Sequence, residues 1–297
     1  MSWLRLIRFT DDAGRTTFGD PCIDHGEDLV PLYKQQDLFA IKFLGDSAFA
    51  LTKTNERVRV KRLLAVLTQD DVAVFKCIGL NYRKHIAETG RKPPPFPSLF
   101  MKPAPAIAAF DGDIHVAPVA QGKNLDYEGE LAVVIGTTGK NISKEEALSY
   151  VAGYASSNDV SARTWQRDPA YAGSVPQWSY AKSFDTFAPI GPMLVSRAVA
   201  GAGDHLRLQT LVNGEIRQDS NTGDLLFGVA ELVSFLSQGS TLQQGTVIMT
   251  GTPDGVVLGM PDPKPWLQDG DVVEVRIEQL GSCINKVVFD QTTALPT

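Results

Sequence analysis

Cysteine is scarce in this 297-residue chain: Cys22, Cys77 and Cys283 are the whole set, odd in number and scattered. That argues against a disulfide framework or a thiolate metal site and fits core packing in a reducing compartment. No apolar run approaches the roughly 20 residues needed to span a membrane. Positive charge is in deficit, with a net charge of −6 and no basic stripe, so nucleic acid is not an expected partner. Residues 1–9 carry two arginines, but Asp11 and Asp12 come at once and the stretch alternates like a strand. It lacks the form of a presequence or signal peptide. The cytoplasm is the expected location, with a mitochondrial one left open. Also missing are internal repeats, low-complexity tracts, a P-loop, the full dinucleotide-binding glycine spacing and a G-x-S-x-G elbow. A hydrophobic share of 43% beside 21% charged residues is that of an ordinary globular chain, long enough to bury a full core.

The positive signal centres on Tyr127-Glu128-Gly129-Glu130-Leu131-Ala132-Val133-Val134-Ile135. The second half is apolar and β-branched, and it runs into Gly136, which predicts a buried strand. Residues two apart share a face of a strand, so Glu128 and Glu130 point the same way. Beyond them both faces are apolar, as in a strand covered on two sides. Two like charges at the head of such a strand repel and lose hydration unless something positive lies between them. A second acidic element lies further on. Residues 151–157 are small and apolar, a candidate neighbouring strand with Asp159 at its end, preceded by a helix capped by Ser143 with Glu145 and Glu146 in its first turn. Three carboxylates at one point form an all-oxygen donor set. It suits Mg²⁺ first, then Mn²⁺ or Ca²⁺, and does not suit zinc.

Taken in order, residues 3–9 and 15–22 read as strands and 38–51 as a helix on the spacing of Leu38, Ile41, Leu44 and Ala48. A boundary near residue 70 separates a small N-terminal domain (1–70), without visible chemistry, from the remainder (71–297). A strand over 72–79 ends at Gly79 and precedes a short helical segment in which His85 and Glu88 lie three apart, on one face. A carboxylate beside an imidazole raises its basicity and fixes its tautomer, as a general base requires. Further strands are expected at 98–102 and 106–109. One helical turn at 161–167 sets Arg163 and Gln166 beside Asp159, and Lys182 approaches the same region. Asn213-Gly214 marks a two-residue hairpin, and residues 227–236 read as a helix. Residues 246–250 form a strand that leads into Gly251-Thr252-Pro253, whose hydroxyl and N–H groups could cradle a carboxylate. A last hairpin turns at Gly281-Ser282. The fold class is mainly β with a few helices.

The segments Tyr127-Glu128-Gly129-Glu130-Leu131-Ala132, Asn158-Asp159-Val160-Ser161-Ala162-Arg163, Lys182-Ser183-Phe184-Asp185-Thr186-Phe187 and Thr250-Gly251-Thr252-Pro253-Asp254-Gly255-Val256 occur in that order. Together with Gly79, Asn81, Tyr82, His85 and Glu88, this series resembles the fumarylacetoacetate hydrolase superfamily. It looks closest to the branch of acylpyruvate hydrolases, oxaloacetate decarboxylases and oxaloacetate tautomerases. The resemblance implies a rolled mixed sheet behind the small N-terminal domain, a homodimer, and a metal held by Glu128, Glu130 and Asp159. His85 and Glu88 would be the base pair on a lid over that metal, and Lys182 would hold a substrate oxygen or position water. Tyr82, Arg163, Gln166 and Thr252 would contact the substrate. Two positions depart from the pattern: Ala181, where many members have glycine before the lysine, and Val257, where the last motif often continues with glycine. The implied activity is a Mg²⁺-dependent reaction on a small 2-oxo acid through a metal-stabilised enolate. C–C hydrolysis of an acylpyruvate leads, and oxaloacetate tautomerisation or decarboxylation is the alternative. A catalytically silent relative kept as a binding protein is the rival from another class.

Overall fold

The computed structural model describes residues 3–24, 27–88, 90 and 92–291, with the side chain of Glu88 outside the described set. The predicted central strand is Gly129–Ile135, every residue of which is buried. Its alternation sorts side chains into two cores, as the sequence implies. Leu131, Val133 and Ile135 pack with Leu232, Val233 and Leu236 of the longest helix, Val229–Ser237. Ala132 and Val134 pack on the other face with Leu6, Phe75 and Met249.

This strand sits inside a 12-stranded mixed sheet. On one side it pairs antiparallel with Val151–Asn158, which leads through Ala188–Val195 to Arg5–Thr10. On the other it pairs with Thr246–Met249, which runs parallel to Val74–Gly79, with Ser98–Lys102 at the edge. A second, five-stranded sheet contains the hairpin Arg207–Val212 and Glu215–Asn221, then Val272–Ile277, Gly281–Phe289 and Ile114–Val116. Asn213 and Gly214 both take positive φ at its tight turn, which is why that dipeptide stands there. A third core under this sheet holds Leu125, Val160, Val257 and Val275. Architecture and fold class agree with the sequence reading.

Two local expectations are corrected. Residues 38–51 form no helix: Phe39–Ser47 and Ala50–Arg59 are a hairpin. The helical spacing left out Phe43, which is fully buried and opposes Phe18 across the strands. Gly45, at φ +134°, lies where a Cβ would come within 2.2 Å of the Ala50 carbonyl oxygen, so a close backbone approach explains the glycine. Four strands of this region continue the main sheet through the pairing of Arg5 with Val195 and Leu6 with Leu194. Ser143 does make a reciprocal bond pair with Glu146, but the element they introduce is the 3₁₀ turn Ala147–Tyr150 and not an α-helix.

Asn81 anchors the segment after Gly79. Fully buried, it donates Nδ2 to the carbonyls of Thr250 (2.8 Å) and Phe227 (3.1 Å), and its Oδ1 accepts from Phe227 N–H (2.8 Å). The helix Arg83–Glu88 starts two residues later. Asn81→Ala strands three buried backbone groups, each costing about 1–3 kcal/mol. We expect a loss of roughly 3–5 kcal/mol in urea unfolding; a loss below about 1 kcal/mol would show that the anchor is not these bonds.

Candidate active site

The pairing of Gly129 with Asn158 and of Glu130 with Ser157 carries Asp159 to the head of the central strand. Asp159 N–H donates to the Glu128 carbonyl (2.8 Å), and Glu128 N–H donates to Asn158 Oδ1 (3.0 Å). One carboxylate oxygen each from Glu128, Glu130 and Asp159 therefore lie within 4.8 Å of one another. Asp159 and Glu130 are buried, and the Glu128 side chain is 13% exposed, opening the cluster on one side.

Cations flank the cluster. Lys182 Nζ stands 2.7 Å from both Glu128 Oε2 and Asp159 Oδ2. Lys102 Nζ donates to Asp159 Oδ1 (2.6 Å) and to the Phe187 carbonyl (2.5 Å), with its side chain wholly buried. Arg163 donates Nε to Asp126 Oδ2 (2.8 Å) and Nη1 to Gln166 Oε1 (3.2 Å). Its Nη2 is 2.6 Å from Glu128 Oε1 and 2.8 Å from Asp126 Oδ2, ion-paired with both. Burial would raise the Glu128 carboxyl, but Lys182 and Arg163 outweigh it and hold it down to about 2. Glu130 goes the other way: burial, then the charges of Asp159 and Glu128, push it well above the carboxylate range. Its one bond from the turn is Gly251 N–H to Oε2 (2.8 Å). Among the described residues it has no ion-pair partner.

Four carboxylates (Asp126, Glu128, Glu130, Asp159) thus face three cations (Lys102, Arg163, Lys182), one positive charge short. The deficit falls on Glu130. An all-oxygen donor set that is under-compensated at one member fits a hard divalent cation.

A cavity of about 310 Å³ adjoins the cluster. His85, Glu128, Arg163, Gln166, Lys182 and Thr252 reach its wall, so six of the expected site residues converge there. Phe100, Trp178, Val256 and Leu258 supply apolar wall. Glu88, expected as the partner of His85, has its side chain outside the described residues. Tyr82 is not on the wall: it is fully buried, its hydroxyl has no hydrogen-bond partner, and burial raises its pKa far above that of a free phenol. Thr252 reaches the wall with its hydroxyl already committed, donating to the Gly129 carbonyl (3.0 Å) and accepting from Gln218 Nε2 (2.8 Å). The Gly251-Thr252 turn therefore braces the carboxylate-bearing strand. Val257 turns into the third core, and its neighbour Leu258 faces the cavity. The loop beyond is placed by Lys264, whose Nζ donates to the carbonyls of Leu258 (2.8 Å) and Met260.

Sequence reasoning missed Lys102 and Asp126. For Asp126 a signal existed, since Asp126, Glu128 and Glu130 form one D-x-E-x-E alternation.

A buried carboxylate triad, one positive charge short and opening on a cavity with a histidine, on this rolled sheet, defines a class of metal-type enzymes. The chain belongs to the fumarylacetoacetate hydrolase family: residues 75–288 match the fumarylacetoacetate (FAA) hydrolase C-terminal domain. It is 42% identical over 225 residues to the mitochondrial oxaloacetate tautomerase FAHD2A of Bos taurus, covering 76% of this chain and 69% of that one. The solved 2-hydroxyhepta-2,4-diene-1,7-dioate isomerase from Mycobacterium marinum superposes with a TM-score of 0.77 at 30% identity, covering 97% of this chain and all of that one. Fumarylpyruvate hydrolase from Pseudomonas aeruginosa, solved in complex with Mn²⁺ and pyruvate, gives 0.64 at 34% identity over 74% of this chain and 91% of that one.

Replacing Glu130 by Gln removes the under-compensated charge while an amide oxygen can still accept from Gly251. Glu130→Gln should abolish Mn²⁺ uptake measured by electron paramagnetic resonance, with a metal-free Tm no lower than the parent's. Retained stoichiometric uptake would remove Glu130 from the ligand set.

Proposed function

We propose that this protein is a divalent-cation enzyme that enolises a small 2-oxo dicarboxylate and interconverts keto and enol oxaloacetate. Likeness to an oxaloacetate tautomerase over three quarters of the chain carries this reading. It reverses the order drawn from sequence, where C–C hydrolysis led. Hydrolysis of an acylpyruvate remains the second reading, favoured by the likeness to fumarylpyruvate hydrolase.

Glu128, Glu130 and Asp159 would hold the ion, with Mg²⁺ preferred for an all-carboxylate set. Such an ion supplies Lewis-acid polarisation of the 2-oxo group, which acidifies the adjacent C–H. The residues of the chain do the rest. Lys182 and Arg163, both kept charged by their carboxylate partners, offer positive charge to the substrate's oxygens at the cavity wall. Gln166, held by Arg163, orients the same end. His85 takes the proton from C3 and returns it to the 2-oxygen, so the net proton count is unchanged. Phe100, Trp178 and Leu258 keep the enol from bulk water. In the hydrolytic reading His85 instead deprotonates a water that attacks the second carbonyl; the adjacent C–C bond then breaks, its electron pair leaving with the 2-oxo acid fragment as an enolate, to which His85 returns the proton. In this scheme the helix Arg83–Glu88 covers the site as a lid, and its movement begins beyond the anchored Asn81. A homodimer, a cytoplasmic location and a domain division near residue 70 complete the reading; the family match starts at residue 75.

The test measures loss of enol oxaloacetate and cleavage of acylpyruvates side by side, with Mg²⁺ and with excess chelator. Interconversion should be fast, chelator-sensitive, and slowed about 10²–10⁴-fold by His85→Ala, the usual worth of general acid–base help. Mn²⁺ affinity should survive that substitution. Acylpyruvate cleavage without interconversion would put hydrolysis first, and neither activity in the metal-loaded protein would favour a silent binding protein.

A further inference from the structure

Asp126 touches neither the cavity nor the carboxylate triad directly, yet it is the most heavily bonded acid in the region. Fully buried on the two-residue strand Leu125–Asp126, it accepts at Oδ1 from the N–H groups of Tyr127 (2.9 Å) and Val257 (2.9 Å). At Oδ2 it accepts from Leu258 N–H (3.1 Å) and Arg163 Nε (2.8 Å). The Arg163 guanidinium is thereby divided. Its Nε edge belongs to Asp126, its Nη1 reaches Gln166, and its Nη2 lies between Asp126 and Glu128, ion-paired with one oxygen of each.

A guanidinium freed from such a hold has a preferred geometry. Its planar fork matches a carboxylate through two parallel bonds. The carboxylate within reach is Glu128, whose Oε1 is already 2.6 Å from Nη2. A full fork would take both oxygens of Glu128, and Lys182 would lose Oε2. We propose that Asp126 is a positioning residue that, by taking the Nε edge of Arg163, limits the guanidinium to a single-oxygen contact with Glu128, so that Oε2 stays out of the fork, shared only with Lys182, and can turn to the cation. This rests on the metal-site reading above. The same carboxylate fixes the N–H groups of Val257 and Leu258, so the cavity wall at Leu258 and the guanidinium are set by one group.

The amide of Asp126→Asn has one oxygen where two are now used, so it serves either the backbone N–H groups or Arg163. We expect Mn²⁺ affinity of the substrate-free protein to weaken about 10- to 100-fold, the usual effect of altering a group behind a metal ligand. Arg163→Lys tests the same link without touching the backbone bonds to Asp126. One ammonium cannot serve Asp126, Gln166 and Glu128 together, and a loss in the same range is expected. In an Arg163→Gln background Asp126→Asn should then cost less than threefold, because the residue it acts through is gone. If the protein takes up Mn²⁺ and Asp126→Asn binds it like the parent, the proposal is overturned while the metal site stands. Equal losses with and without Arg163 also overturn it, since Asp126 would then act through the fold alone. If Asp126→Asn does not fold, parent-like Mn²⁺ affinity in Arg163→Lys overturns the proposal by itself. A parent that takes up no Mn²⁺ overturns both readings.

Discussion

Six buried or nearly buried charges of alternating sign run through the molecule: Asp126, Arg163, Glu128, Lys182, Asp159 and Lys102. Each neighbour in the series lies within ion-pair distance of the next. Taking such groups out of water is costly, and the cost is offset only where geometry is good and the remaining lone pairs are met. The fold meets that condition by delivering each charge on a different element. Asp126 comes from a two-residue strand and Glu128 from the residue before the central strand. Asp159 stands just past the neighbouring strand, Arg163 opens a helical turn, Lys182 ends the helix Trp178–Lys182, and Lys102 ends an edge strand. Losing Arg163 would leave Asp126 without its cation, and losing Asp159 would leave Lys102 without its carboxylate. The series specifies the site as much as it stabilises it.

Packing around the series serves the same end. Trp178, at the start of the helix that carries Lys182, lies over Gly79, where a Cβ would fall 2.0 Å from the indole ring. On its other side the indole meets Phe100 edge-on at 5.6 Å, and Phe100 shares a strand face with Lys102. The absence of a side chain at Gly79 therefore lets one aromatic contact register both lysines. Tyr180, Phe184 and Phe187 continue edge-to-face from this point toward the carbonyl that Lys102 bonds.

How much of this the sequence disclosed depends on whether partners were local. The acid pair two residues apart, leading into a run apolar on both faces, needs nothing distant to be understood, and the central strand came out as expected. Asp159 was legible because its strand is the next one in space as well as in sequence. Lys102 was hidden by an inverted alternation. In Ser98–Lys102 the apolar Leu99 and Met101 face outward at the sheet edge, while Lys102 turns inward with Phe100. Period-2 reasoning puts the lysine in solvent; only the distant Asp159 and Phe187 carbonyl reverse that. Residues 38–51 failed for a related reason, since helical spacing competed with strand pairing to Thr16–Pro21 that lies outside any local window. Thr252 was located correctly, but its hydroxyl has a partner, Gln218, from another sheet.

The charge series also bears on which reaction an enolate would undergo. On the proposed reading, tautomerisation and hydrolysis share the need for polarisation, which the cation would supply, for positive charge at the substrate's oxygens, which Lys182 and Arg163 would supply, and for a proton carrier, which would be His85. They differ in whether water stands at the second carbonyl. On that reading selection between them would fall on the apolar side of the cavity, lined by Phe100, Trp178 and Leu258. Leu258 is the member of that wall under the tightest restraint: Asp126 takes its N–H, Lys264 takes its carbonyl, and buried Val257 fixes its direction. A valine in place of the frequent family glycine removes backbone freedom next to an apolar wall residue that shares its anchor, Asp126, with Arg163. In this chain one carboxylate, Asp126, fixes both Arg163 and the wall at Leu258, so on the proposed reading orientation of the substrate's charged end and exclusion of water rest on a single group.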